Sequence, residues 1–570
     1  MAPKKKSEKL GHWKPMRKKR ILFCSEATFL NTGYATYTRE ILRYLYATGK
    51  YDIAELASYG ERNDPRASQI PWQYYGVMPN IESEPKATKE EIDKYHSNPV
   101  NQFGEFVFES VCLDFRPDIV CDIRDFWMLD FADRSPYRPL FKWCIMPTVD
   151  ARPQARQWIA TYQSADACLS YSDWAGGILS GQSGGKINYL GSAPPSAHSA
   201  YQPVDNRDAI RERLGIDKDA KIIGTVMRNQ RRKLYPDLFA AFRKFLDLSQ
   251  DKNCLLYCHT SYPDLGWDIP ELLQQHQLSA HVMFTYICPQ TKKPFSSLFK
   301  GAVTQSPYTG QYGSTLSSVK NGVEYEHLAE IMNVFDLYVQ YANCEGFGLP
   351  QVEAAACGVP VMGTDYSAME SVLRKLKGTP IKPKALYKEL ETGCFRAVPD
   401  NDLAAQKFLE FFEQPKSMRR KIGFETRKAF EEHYQWHYSG KKWEDYFDSV
   451  KLPDANQSWE SPPRIKQSEP KPEKIPDDVP TGDIAKWLIG KVLCEPERIN
   501  TFFESRLTRD LMYHSTTAST GGMYFNESSA AFDGKNVLSP FNFDLAYDQM
   551  HALCQRRNFW EQKRAEGNAK

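Results

Sequence analysis

Between Phe335 and Gly363 the chain sets a buried strand, a glycine-rich turn, a helix and a second strand in immediate succession, and few folds accept that order. The apolar run Phe335-Asp-Leu-Tyr-Val-Gln-Tyr341 has the length and composition of a strand covered on both faces. Glu345-Gly-Phe-Gly-Leu-Pro350 follows as a turn, and Gln351-Val-Glu-Ala-Ala-Ala-Cys357 as a helix stopped by Gly358. Pro360-Val-Met-Gly363 reads as another buried strand. Strand, turn, helix and parallel strand make the repeating unit of a wound α/β sheet. This order puts Glu345 at the carboxyl end of a strand and Glu353 about two turns into the helix behind it. The turn N–H groups and the positive helix end predict an anionic ligand there.

Similar units recur along the chain. Strands are expected over 20–25, 51–57, 118–122, 143–147 and 167–171, with Ser172 opening a helix. Tyr37, Ile41, Tyr44, Leu45 and Thr48 recur at helical spacing before Gly49. A second series begins near Asp205, with helices over 207–214, 236–248 and 325–334 and strands over 222–227, 254–259 and 281–285. The expected organisation is a basic disordered tail over 1–19, a Rossmann-like domain over 20–200 and a second over 201–430. A helix over 431–452, centred on a Tyr- and Trp-rich stretch at 430–450, returns to the first domain. A Pro- and charge-rich linker over 453–482 and a small extension over 483–570 complete the chain.

A chain of 570 residues exceeds one core, and its 41% hydrophobic and 25% charged residues are those of a globular protein. No apolar run reaches the ~18–20 residues of a membrane span, and no apolar segment follows the basic N-terminus before Arg20. Thirteen cysteines without framework spacing suit reduced thiols and a cytoplasmic location. A net charge of +2 specifies no partner.

Arg228-Asn-Gln-Arg-Arg-Lys233 follows the expected strand at 222–227 directly, where fixed cations can meet a phosphate. Cys254, Cys258 and His259 invite a metal reading, but neighbours on a strand face opposite ways, so a buried cysteine is expected. Cys288-Pro-Gln-Thr and Ser306-Pro-Tyr-Thr-Gly310 have the outline of two zinc knuckles with three of four thiols missing. One thiol cannot hold zinc, so an insertion loop or a decayed knuckle is expected over 288–310.

The stretch from Glu345 to Val361 resembles the E-x7-E signature of the retaining, nucleotide-sugar-dependent glycosyltransferases of the GT-B fold, most closely family four, and a phage type is among the forms considered. The resemblance ends near Val450. It implies an α/β fold of two facing Rossmann-like domains with a C-terminal extension here. It also implies a nucleoside-diphosphate sugar as partner, no cofactor and no metal. Arg228 and Lys233 would form the diphosphate clamp, although Leu234 stands where the family more often has Gly. Glu345 would lie beside the transferred sugar, and the backbone of Gly346, Phe347, Gly348 and Leu349 would line the donor site. Glu353 would accept from the ribose hydroxyls. Gly33, in Asn31-Thr-Gly33, would let backbone approach the diphosphate from the first domain. The family's histidine near the sugar is missing from Met146-Pro-Thr-Val-Asp150; Asp150 either takes its place or caps a helix.

The resemblance leaves the acceptor open. A hydroxyl on a glycan, lipid or small metabolite is one reading, a hydroxymethylated base in DNA a second, and a non-catalytic binding scaffold a third. The basic N-terminus with Arg134, Arg138, Arg152 and Arg156 would serve the second. The four charged residues Arg228, Lys233, Glu345 and Glu353 weigh against the third.

Overall fold

The structure, a computed structural model, describes residues 17–79, 89–318, 321–390, 392–453 and 458–460. The basic tail up to residue 16, most of 453–482 and all of 483–570 lie outside the described residues. The described residues form two compact units, 17–146 with 436–460, and Pro147–Gln435.

The first unit contains β1 (Lys19–Glu26), β2 (Tyr51–Glu61), β3 (Gln73–Met78), β4 (Ile119–Asp122) and β5 (Lys142–Ile145). They pair in parallel in the order β3-β2-β1-β4-β5. Ile21 to Cys24 of β1 are fully buried, as a strand covered on both faces requires. The helix Gly33–Thr48 starts at Thr32, whose hydroxyl accepts from Ala35 N–H at 3.3 Å. It stops at Gly49, in the left-handed region at φ +66°. The helix Trp436–Ser449 lays Trp443 and Phe447 on Phe23 of β1, ring centroids 5.6 and 6.1 Å apart. Trp443 Nε1 donates to the Tyr37 hydroxyl at 3.0 Å.

The stretch at 430–450 is not one helix. Lys416–His433 and Trp436–Ser449 are separate, and the chain leaves helical geometry at Tyr434 (φ −126°, ψ 79°). Burial of the Tyr434 ring, 5.9 Å from Phe347, accompanies the break. Tertiary packing here overrides an unbroken helical pattern.

In the second unit β6 (Ala167–Ser170) pairs in parallel with β7 (Tyr189–Ser192). Ser172 caps the helix Asp173–Gln182, accepting from Ala175 N–H at 3.2 Å. The larger sheet holds β8 (Lys221–Val226), β9 (Cys254–His259), β10 (Val282–Ile287), β11 (Pro294–Leu298), β12 (Val303–Gln305) and β13 (Tyr312–Leu316). It continues with β14 (Leu337–Gln340), β15 (Val361–Thr364) and β16 (Thr379–Ile381). Its order is β12-β13-β10-β9-β8-β14-β15-β16, with β11 also on β10. From β10 to β16 neighbours are parallel. The chain winds outward from β8 to β10 and then resumes on the far side of β8 as β14. Such a reversal opens a crevice at the carboxyl ends of the two central strands. A separate antiparallel hairpin comprises β17 (Pro383–Lys388) and β18 (Phe395–Pro399).

Residues 288–310 are not a loop: β11 and β12 lie in them, β11 and β13 pair antiparallel with β10, and β12 pairs antiparallel with β13. Two turns there share one backbone pattern. Cys288 N–H donates to Lys293 O at 3.1 Å and Ser306 N–H to Gln311 O at 2.8 Å. Lys292 N–H returns to Cys288 O and Gly310 N–H to Ser306 O, both at 2.9 Å. Lys292 and Gly310 are both left-handed, at φ +57° and +69°. The Cys288 thiol lies among the hydroxyls of Ser306 and Thr291. Cys258 is in the core of this unit, while His259 Nδ1 meets Thr285 Oγ1 at 3.0 Å.

Candidate functional site

The carboxyl ends of β8 and β14 carry the charged residues at 228–233 and Glu345. An antiparallel bridge between Lys233 and Ala342 brings these segments together. Lys233 Nζ donates to Glu345 Oε1, and Arg232 Nη1 to Glu345 Oε2 at 2.6 Å. Gln340, the last residue of β14, adds its Nε2 to Oε1 at 2.6 Å. Both Lys233 and Glu345 are buried. Burial lowers the Lys233 ammonium well below the usual lysine range, and the Arg232 charge adds to that. Two cations on one carboxylate leave a formal excess of one positive charge.

Arg228 is elsewhere. Its Nε and Nη2 hold Asp264 at 2.8 and 2.9 Å, and this pairing, with Ser261 also on the carboxylate, draws Asp264 down to about 2. The cation that joins Lys233 on Glu345 is therefore Arg232, which the sequence reading left unassigned. Its signal was its place in the basic run. Gln340 had one too, as a polar residue at the end of an apolar strand.

The turn after β14 is tightly confined. Gly348 occupies the left-handed region (φ +85°) and precedes the helix Leu349–Ala356, with no side chain capping its first N–H groups. A Cβ on Gly346 would stand 2.5 Å from Thr148 Cγ2. Phe347 is buried, and Leu349 is half-buried where the helix begins. Glu345 N–H donates to the Ser367 hydroxyl at 2.9 Å, and that hydroxyl returns to Glu345 O at 3.2 Å. Ser367 is itself at φ +56°, a strained conformation for a side-chain-bearing residue, and nothing in the sequence marked it.

Glu353 lies in the same helix, 7% exposed. Burial drives its carboxyl up to about 7, opposed by the nearby Tyr201 hydroxyl. A buried carboxyl so short of donors can accept from hydroxyls brought by a ligand.

Asp150 does not cap a helix. The helix Arg156–Ser164 begins at Ala155, and Asp150 instead accepts from Arg396 Nη1 at 2.9 Å and from the Cys344 thiol at 3.3 Å. It therefore lies beside the residue preceding Glu345. Gly33 is in the other unit, the first residue of its helix at the end of the loop after β1; among the described residues, its chain neighbours and own helix backbone aside, no atom stands within 4 Å of a Cβ built there. Among the described residues no group of three or more His, Cys, Asp or Glu could hold a metal ion.

Residues 317–429 match the family model described as glycosyl transferases group 1. No curated protein sequence matches the chain. Solved structures are similar over most of its length. Sucrose-phosphate synthase of Thermosynechococcus elongatus has 16% identity and a TM-score of 0.54, covering 76% of this chain and 98% of its own. A glycosyltransferase of Rickettsia africae has 13% identity and a TM-score of 0.51, covering 76% and 98%. Anabaena HepE, solved with UDP, has 12% identity and a TM-score of 0.51, covering 76% and 100%. At these identities the likeness establishes the fold, the α/β fold of GT-B glycosyltransferases with Rossmann-like halves.

Proposed function

We propose that the chain is a family-four glycosyltransferase that moves a hexose or pentose from a nucleoside-diphosphate sugar to an acceptor hydroxyl, with retention of configuration. The observation that carries this reading is Glu345. It lies at the strand reversal, bridged by Lys233 and Arg232, in the part of the chain that matches the group 1 model. The family's sugar carboxylate and one of its diphosphate cations thus meet, with an excess positive charge for an anion. Anabaena HepE has also been solved with UDP-glucose, which makes such a donor the first class to test.

In this reading the bond from the anomeric carbon to the β-phosphate oxygen breaks with oxocarbenium character. Lys233 and Arg228 receive the growing diphosphate charge with Arg232 as a third cation, so no metal ion is invoked. The acceptor oxygen bonds to the anomeric carbon on the face the phosphate leaves, and the phosphate oxygen takes the acceptor proton. Glu353 accepts from the ribose hydroxyls, and the first helical N–H groups at Leu349 and beyond face the phosphates. The acceptor hydroxyl belongs to a glycan, lipid or small metabolite. The eleven described cysteines are buried thiols outside any disulfide, which supports a reducing, cytoplasmic setting. Among the described residues no helix is long and apolar enough to cross a membrane.

A thermal-shift panel of UDP-, GDP- and ADP-sugars tests the donor. A ligand at a hundred times its dissociation constant stabilises the folded chain by about 2.7 kcal/mol. One nucleotide series should raise Tm by several degrees, and hydrolysis or transfer from it should follow. No shift with any series, and no turnover, would reject the reading.

A further inference from the structure

Next to Glu345 in the turn after β14, Cys344 touches a second charged system with no task in the mechanism above. Arg396 is buried, its side chain 8% exposed, and every nitrogen of its guanidinium is used. Nη1 reaches Asp150 Oδ2 at 2.9 Å and Cys344 Sγ at 2.7 Å. Nε and Nη2 reach Glu389 Oε2 at 3.0 and 2.7 Å. One guanidinium thus holds two carboxylates, and the trio carries a formal charge of −1. Asp150 Oδ1 has no partner among the described residues, and its side chain keeps 33% of its surface exposed.

The hairpin β17–β18 supplies Glu389 and Arg396 and is tied to both sides. Ala397 N–H donates to Asn343 O at 3.0 Å, and Asn343 Nδ2 to the Tyr387 hydroxyl at 3.1 Å. Phe395 N–H donates to Arg152 O at 2.7 Å. Asp150 is thereby held beside Cys344 with one oxygen anchored and the other open. Anchoring one oxygen gives the other a defined direction, which a freely rotating surface carboxylate lacks.

Resting on the reading of this turn as the donor-sugar site, we propose that Asp150, oriented by Arg396, selects the donor sugar. Its open oxygen accepts from a sugar hydroxyl, and the negative trio disfavours any donor whose sugar carries a carboxylate. Neutral hexoses and pentoses pass; uronic acids do not. Arg396 acts through Asp150 and is a positioning residue.

The test measures equilibrium binding to the full chain of UDP, UDP-glucose and UDP-glucuronate, and in parallel of GDP, GDP-mannose and GDP-mannuronate. The wild type should prefer the neutral-sugar donor to the uronate by about tenfold or more, the effect of one close like charge. Asp150→Asn keeps the shape, should bind the bare diphosphate as the wild type does, and should narrow the preference to about twofold. Arg396→Gln should lose the preference in the same way, and Arg396→Lys should recover part of it, which a merely structural role would not produce. Should Arg396→Gln fail to fold, the near-isosteric Asp150→Asn decides the question alone. Intact diphosphate binding with an unchanged preference in Asp150→Asn overturns the assignment of selectivity and leaves the donor site standing. Failure of UDP, GDP and ADP alike to bind the wild type overturns both.

Discussion

Lys233 donates to Oε1 of Glu345, 112 positions further along the chain, so the proposed diphosphate cation and the proposed sugar carboxylate are one buried ion pair. In the proposed mechanism incoming phosphate shares Lys233 with Glu345, and the pairing fixes where the ammonium stands beforehand. Preorganised charge of this kind is worth about 10²–10³ in turnover per group. Lys233→Met should lower kcat by that factor with the circular dichroism spectrum unchanged, because Arg232 and Gln340 still satisfy Glu345. Wild-type turnover in a folded Lys233→Met protein would refute the role.

Arg232 should behave differently. Its side chain is 43% exposed, so Arg232→Gln removes charge without opening the core. The expected result is a rise in KM for the nucleotide sugar of up to about tenfold with a smaller change in kcat. A kcat loss equal to that of Lys233→Met would instead make the two cations one unit.

Glu353 gives a pH signature. Its folded carboxyl titrates at about 7, against 4.5 for the unstructured group. Between those values the folded chain keeps a proton that the unfolded chain has released. The stability linked to it is therefore fully present below pH 4.5 and lost as pH rises through 7, by up to about 3 kcal/mol. Glu55 in the other unit is raised to about 7 by burial and acts in the same direction. Urea denaturation of Glu353→Gln from pH 5 to 8 should show a shallower decline than the wild type; an identical slope excludes Glu353 as the source. Ribose hydroxyls arriving at Glu353 would favour the carboxylate, so nucleotide binding at pH 7 should release a proton, measurable by calorimetry in buffers of different ionisation enthalpy.

Gly346 and Thr148 make a steric pair. Gly346→Ala would bring a methyl to 2.5 Å from Thr148 Cγ2, on a β-branched side chain with little freedom to retreat. A loss of about 1–3 kcal/mol is expected, with weaker donor binding. Thr148→Ser removes only that methyl, so the double variant should recover most of the loss. Additive losses would show that the clash lies elsewhere.

The twin turns at Cys288 and Ser306 keep matched backbone patterns while supplying a single thiol. The triple variant Thr291→Cys, Ser306→Cys, Thr309→Cys should bind one zinc ion per chain, seen by metal analysis and by the tetrahedral spectrum of a cobalt substitute. A folded triple variant without stoichiometric metal would show that the likeness is confined to the backbone.

What the sequence revealed of this site was whatever is local. The strand, turn and helix around Glu345 lie within one stretch, and apolar runs and glycine stops marked them. Lys233 was legible because it follows β8 at a set distance. That Arg232 joins Lys233 on Glu345 while Arg228 pairs with Asp264 was not, because it depends on the bridge to Ala342 and on Asp264, both distant in sequence. The same holds for Arg396 and Asp150, 246 positions apart, joined through a hairpin of two short strands, the first of them largely exposed. At Tyr434 local evidence misled: helical spacing continues through a position where burial against Phe347 turns the chain. The cysteine-bearing segment at 288–310 misled in the other direction, since strands that only extend a sheet edge need little hydrophobic patterning.

That extension bears on how the molecule avoids its own kind. Without β11–β13, β10 would end the parallel sheet with six residues of unpaired backbone, a template for another chain. As built, the described sheet ends in β12 and β16, each of three residues, and in β11, of five, which pairs only with β10. Each of these margins is shorter than the edge β10 would present, so the insertion works as a guard against edge-to-edge aggregation.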